Sequence, residues 1–261
     1  MAVKPYIPTA RDLPYSRTLK ILDSLLNLLY PEVCLLCSEP VYRHRDCGIC
    51  DNCWNRVVAL KIIAARCVSC GLPFHSFSSD SEHLCGNCIQ QMPPYDGARS
   101  FGYYADELGG LIQGLKFRNR RNLTGFLVSL LADAFFETWS REDFDLIVPV
   151  PLHKKRKRQR GYNQSELLAQ SLALRLAIPQ KRVLSRLRAT PPQVGLSDSQ
   201  RIENVRNAFH VDGRHPLAGK RVLLIDDVMT TGATAASAAK ALLDGGAARV
   251  SVLTVARAEK H

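Results

Sequence analysis

The sequence has no cysteine before residue 34 or after residue 88, and all nine of its cysteines fall between those positions. The rest of the chain, 261 residues in total, must build its main core without thiols, so the cysteine-bearing stretch reads as a module of its own. An odd cysteine count with no secretory signal argues against a disulfide framework, because such frameworks pair their thiols in oxidising compartments. Reduced thiols and a cytoplasmic protein are expected. No apolar run is long enough to span a bilayer: the N-terminal candidate, residues 19–29, is broken by Lys20, Asp23, Ser24 and Asn27. A P-loop pattern is missing, and no Ser-His-Asp or Cys-His arrangement is readable, which leaves NTPase and hydrolase chemistry unsupported. No low-complexity tract stands out, and apart from the recurring CxxC units no repeat runs along the chain.

What is present begins with charge. A formal net charge of +11 attracts phosphate, whether on a small substrate, a nucleic acid or an anionic membrane, and does not choose among them. Residues 1–15 contain Pro5, Pro8 and Pro14 and read as a loose leader; a helix is expected from Ser16, with Leu22, Leu25, Leu26 and Leu29 at helical spacing and Pro31 closing it. Four Cys-x-x-Cys pairs follow: Cys34 and Cys37, Cys50 and Cys53, Cys67 and Cys70, Cys85 and Cys88. Two such turns close a four-sulfur shell around one zinc ion with no open position, so two structural zinc sites are expected, the first pair with the second and the third with the fourth. Cys47 makes its own CxxC with Cys50, which leaves a shifted pairing open, and His44, His75 and His83 are alternative ligands. Met92, Pro93 and Pro94 mark a junction. The organisation expected is a leader and amphipathic helix over 1–30, a double zinc ribbon over 31–92 and a main domain over 93–261.

The main domain alternates in the way of an open α/β fold with a mainly parallel sheet. Strands are expected at 100–104, 146–150, 222–225 and 250–255, and helices at 107–117, 126–139, 167–176 and after residue 234, ending at Gly245 and Gly246. Asn163 with Glu166 reads as a capping box.

The strongest chemical signal is residues 222–234. A buried strand delivers Asp226 and Asp227 to its C-terminal end, where open sheets bind ligands. Val228 and Met229 lead into Thr230, Thr231, Gly232, Ala233 and Thr234, a tight turn into a helix N-terminus whose N–H groups and hydroxyls suit a phosphate. Carboxylates beside a phosphate cradle suit a ribose phosphate.

This segment resembles the motif that binds 5-phosphoribosyl-1-pyrophosphate (PRPP) in type I phosphoribosyltransferases. More of the chain, from Leu25 to Arg257, resembles the ComF family of competence-type proteins: the cysteine module, Leu115-Lys116-Phe117, the run from Val148 to His153, Arg160 to Gln164, Gln193, Arg201 with Asn204, and Ala256-Arg257. The resemblance implies a double zinc ribbon before a type I phosphoribosyltransferase fold that binds PRPP with Mg²⁺ and transfers the pentosyl group to an unidentified acceptor. It implies that the loop at 150–164 meets the pyrophosphate through Arg160, Gly161 and Asn163, that residues 185–207 form a lid, that Lys116 reaches in from the hood, and that Asp226, Asp227 and Arg160 are the catalytic candidates. It also implies a role in DNA uptake during natural transformation or in DNA utilisation, with single-stranded DNA and DNA-uptake proteins as partners. The alternative is a sensor or single-stranded-DNA adaptor that keeps the fold without turnover. The basic run 153–160 has more cations than one diphosphate needs, and Lys154, Lys155, Arg156, Lys157 and Arg158 are candidates for nucleic-acid contact.

Overall fold

A short cysteine knuckle is built twice. In the computed structural model, which describes residues 33–41, 48–74, 83–187, 208–213 and 216–258, Cys34 N–H donates to the Glu39 carbonyl at 2.8 Å, and Cys67 N–H donates to the Leu72 carbonyl at 2.8 Å. Ser38 and Gly71 take the left-handed conformation at φ 63° and 68°, and isolated bridges pair Val33 with Pro40 and Arg66 with Pro73. The leader, the expected helix from Ser16, Cys47, His44, His75 and all of the expected lid beyond Leu187 lie outside the described residues.

The chain divides into two compact units, 1–56 and 57–261. The first holds one knuckle and most of α1 (Asp51–Ala59), whose first turn carries Asp51 and Cys53. The second holds the other knuckle followed by α2 (Gly86–Gln90), and then the α/β elements. These are β1 (Gly97–Tyr103), α3 (Asp106–Phe117), α4 (Leu123–Phe136), β2 (Leu146–Pro149), α5 (Lys154–Arg160), α6 (Gln164–Leu176), β3 (Leu184–Arg186), β4 (Phe209–Val211), β5 (Arg221–Met229), α7 (Ala233–Asp244) and β6 (Arg249–Arg257).

The order β1-β6-β5-β2 is parallel throughout, and β3 and β4 form a separate antiparallel ribbon. Strands in such a sheet are buried on both faces and read as continuous apolar runs. Val148, Leu224 and Val252 join Ala238, Ala239 and Leu242 of α7 in one core cluster. By the alternation of strand side chains, Ile147, Leu223 and Leu253 turn to the other face, which α4 and α6 cover. Among the described residues no helix is long and apolar enough to cross a membrane.

Three expectations need correction. The segment 150–164 is not simply a loop, since α5 occupies its middle, capped by His153 Nδ1 accepting from Lys155 N–H and ended by Gly161 at φ 81°. The capping box is only half made: Asn163 Oδ1 accepts from Ser165 N–H, while the Glu166 carboxylate pairs with Lys157 and Arg182 instead. The strand expected to stop at Ile225 continues to Met229, because β6 keeps pairing with it through Asp226 opposite Thr254 and Met229 opposite Arg257.

Candidate ligand cleft and cysteine centres

The extension of β5 fixes the acidic pair near its C-terminal end, and the two carboxylates take different partners. Asp226 Oδ1 accepts from the Ser165 hydroxyl at 2.7 Å and from the Asp227 N–H at 2.9 Å. Burial first, then the neighbouring Asp227 carboxylate, push the Asp226 carboxyl up to about 7, against the pull of the Ser165 hydroxyl and Lys116. Asp227 is 4% exposed; its Oδ1 meets Lys116 Nζ at 2.9 Å, and its Oδ2 is buried with no hydrogen-bond partner among the described residues. A buried carboxylate oxygen left unpaired is costly and marks a place where a donor or cation fits.

The turn after β5 depends on Gly232, at φ 81°: a Cβ there would stand 2.8 Å from Met229 Cε and 3.2 Å from the Tyr95 hydroxyl. Thr231 Oγ1 accepts from Ala233 N–H at 3.3 Å, which closes the entry into α7. Across the cleft, Arg160 donates to Gln164 Oε1 and lies 4.8 Å over the ring of Phe117, which is itself largely exposed. The Tyr162 hydroxyl donates to the Leu115 carbonyl, which ties this segment to α3 next to Lys116.

These groups wall a cleft of about 930 Å³. Of the residues expected at the ligand, all line it except Asn163, Thr231 and Ala233. Asn163 is buried and occupied in structure: it caps α6 and donates Nδ2 to the Val150 carbonyl at 2.9 Å. Sequence reasoning missed Ser165 and Arg121, which line the cleft as well, and Arg186, from the start of the expected lid, joins them; Arg121 lies 4.5 Å over Tyr162 and Arg186 5.4 Å over Phe209. Arg156 and Arg160, one helical turn apart on α5, both face the cleft, whereas Lys154, Lys155, Lys157 and Arg158 are exposed.

The cysteines gather as expected. Cys34, Cys37, Cys50 and Cys53 form one group and Cys67, Cys70, Cys85 and Cys88 another, with the sulfurs of each group all within 4.8 Å of one another. Cys37 and Cys50 sulfurs are 3.7 Å apart and those of Cys70 and Cys85 are 3.6 Å apart. A tetrahedral shell with Zn–S bonds of about 2.3 Å requires roughly this separation. Backbone N–H groups point at the sulfurs, Cys50 to Cys34 at 3.4 Å and Cys85 to Cys67 at 3.3 Å, as suits thiolates. Among the described residues, neither group contains a histidine. The second group is wholly buried and joins the core cluster of the larger unit, whereas Cys37 of the first is exposed.

The double zinc ribbon domain family matches residues 25–89 and the phosphoribosyl transferase domain family residues 163–261. The DNA utilization protein YhgH of Escherichia coli is 36% identical over 234 residues, covering 88% of this chain and 99% of that protein. Competence protein F of Haemophilus influenzae is 33% identical over 231 residues, covering 86% and 96%. Competence protein ComFC of Bacillus subtilis is 29% identical over 239 residues, covering 86% and 95%. With two four-sulfur centres ahead of a parallel sheet that carries its acidic pair into a Thr-Thr-Gly turn, and with relatives alike over nearly their whole lengths, the chain belongs to the ComF family.

Proposed function

We propose that the cleft binds PRPP with Mg²⁺ and that the protein is a phosphoribosyltransferase acting in DNA uptake or utilisation, in keeping with relatives named for competence and DNA utilization. The observation that carries this reading is the buried, unpaired Asp227 Oδ2 beside Asp226, facing cations and a helix-entry turn across one cleft. Hard carboxylate oxygens suit Mg²⁺, which when bound offsets charge on a departing diphosphate. Asp226 and Asp227 accept hydrogen bonds from the ribose hydroxyls, and the turn at 230–234 holds the 5-phosphate. Arg156 and Arg160 hold the diphosphate from one face of α5, and Lys116 pairs with Asp227 Oδ1 at 2.9 Å. The contribution of the protein is therefore positioning and fixed charge in a site partly shielded from water. The test is pyrophosphate release from PRPP against a panel of bases, with and without single-stranded DNA: release with one acceptor supports the transferase, and binding without release selects a sensor.

The raised Asp226 gives a pH signature. Its carboxyl binds a proton in the folded protein that it would lose in the unfolded chain between pH 3.8 and about 7, so wild-type stability falls across that window as pH rises. Asp226→Asn should flatten that fall, as measured by thermal unfolding at a series of pH values. Binding of Mg²⁺ and PRPP should strengthen toward pH 7 with proton release. Calorimetry in buffers of different ionisation enthalpy that finds no proton release between pH 5.5 and 7 refutes the coupling.

The exposed face of α5 is proposed to contact the backbone of single-stranded nucleic acid. Changing Lys154, Lys155 and Arg158 to Ala should lower the salt slope of oligonucleotide binding by about 2, since each neutralised phosphate on a single strand adds about 0.7. Fluorescence anisotropy over a salt series that gives the same slope for both proteins removes α5 from the interface.

A further inference from the structure

We propose that Arg257 is the counter-ion of the second cysteine centre, and that zinc held there positions the Gly232 turn of the cleft through it. The inference rests on zinc filling the four-sulfur group and not on the identity of the ligand in the cleft.

Arg257 ends β6 and is 4% exposed. A buried guanidinium needs a negative partner, yet among the described residues it forms no ion pair with a carboxylate. Its fork instead straddles one zinc-ligand residue: Nη1 donates to the Cys70 carbonyl and Nη2 to the Cys70 sulfur at 3.7 Å. Four thiolates around Zn²⁺ leave the centre negatively charged, which supplies the missing partner and orients the ligand as outer-shell groups do. At the first centre an exposed arginine also reaches a ligand, Arg56 Nη2 lying 3.2 Å from the Cys53 sulfur.

Two routes lead from Arg257 and its centre to the turn. Through the sheet, Arg257 is registered opposite Met229, and Ala258 N–H donates to the Met229 carbonyl at 2.9 Å; Met229 Cε then crowds Gly232. Through packing, Tyr95 lies in the same buried cluster as Cys67, Cys70, Cys85 and Cys88, and its hydroxyl closes on Gly232 from the other side. Cys70, Cys88 and Arg257 share a second cavity of about 1360 Å³ with Thr231, Gly232 and Ala233. The turn thus has the ligand cleft on one side and the cysteine centre on the other. Losing zinc removes the partner of Arg257 and loosens both groups that press on Gly232.

The experiment uses the full chain as wild type, Arg257→Lys and Arg257→Met. Zinc release to a colorimetric chelator is followed together with alkylation of Cys67, Cys70, Cys85 and Cys88 by mass spectrometry. Hydrogen exchange is read at the amides of Thr230, Thr231, Gly232, Ala233 and Thr234. Arg257→Met should release zinc from this centre at least about tenfold faster. Arg257→Lys should recover much of that loss, which a purely steric role for the side chain would not allow. The turn amides should exchange faster in Arg257→Met and in wild type stripped of this zinc. Should Arg257→Met fail to fold, the lysine variant and the stripped wild type carry the comparison. Unchanged zinc release in Arg257→Lys and Arg257→Met, or turn amides indifferent to stripping, overturns the proposal. A wild type that ignores PRPP while showing the exchange coupling refutes the functional reading and leaves this inference standing.

Discussion

Replacing Asp226 and Asp227 together with Asn should abolish PRPP binding, a loss of more than about 100-fold, while the protein stays folded. Hydrogen bonds to charged groups are worth about 1.5–3 kcal/mol each, and two carboxylates lost from one ligand exceed the roughly 2.7 kcal/mol that corresponds to a factor of 100. Asn preserves the volume of each side chain, so no cavity forms. The effects on stability oppose one another. At neutral pH, Asp226→Asn removes a carboxyl whose ionisation is resisted by burial and by its neighbour. Asp227→Asn leaves Lys116, 19% exposed at its side chain, without its partner at 2.9 Å. Calorimetry and thermal unfolding on the same samples check both halves. PRPP affinity within about twofold of wild type removes the acidic pair from the site.

The acidic pair was legible because its signal is local. A buried strand, two carboxylates and a Thr-Thr-Gly turn sit within thirteen consecutive residues, so the pattern is readable before its distant strand partners are known. The partners of the pair were not legible on the same ground. Ser165 meets Asp226 across 61 positions, and Lys116 meets Asp227 only because α3 is placed by the whole sheet. Lys116 was named from resemblance; Ser165 carried no signal beyond following a capping Asn. The helix α5 was hidden by its charge. Lys, Arg and Gln favour helix, and Gly161 marks the end, but like charges one turn apart oppose a seven-residue helix in isolation. Here Lys157 is offset by Glu166, and Arg160 rests on Phe117. The cysteine pairing was readable from spacing, yet the difference in burial between the two centres was not. That difference comes from Tyr95, Ala98 and Met229, which fold over the second group from elsewhere in the chain.

The same difference sets the outcome of breaking each centre, and the second should cost far more. Purified protein should hold two zinc ions, and Cys37→Ser or Cys85→Ser should each reduce the count by one. Cys37 is exposed and its centre contains an intermediate Cys50, so the damage from Cys37→Ser should stay within the knuckle around it. Cys85 is 6% exposed and is surrounded by the core of the larger unit. Cys85→Ser therefore removes metal-binding energy that contributes directly to folding, and leaves a hydroxyl and three thiols in an apolar cluster. Gly71, whose Cβ would stand 2.3 Å from the Ala98 carbonyl oxygen, shows how closely this knuckle lies on β1. Ala98 N–H donates to the Ser69 carbonyl at 2.7 Å, so loosening the knuckle also frees a strand of the sheet. A loss of about 4 kcal/mol or more follows for a metal-site failure inside a core, equivalent to a fall in Tm of roughly 10 °C. Differential scanning calorimetry with metal analysis reads both numbers. Equal Tm values for Cys37→Ser and Cys85→Ser, or an unchanged Tm after zinc is stripped from the wild type, contradict a second centre built into the core.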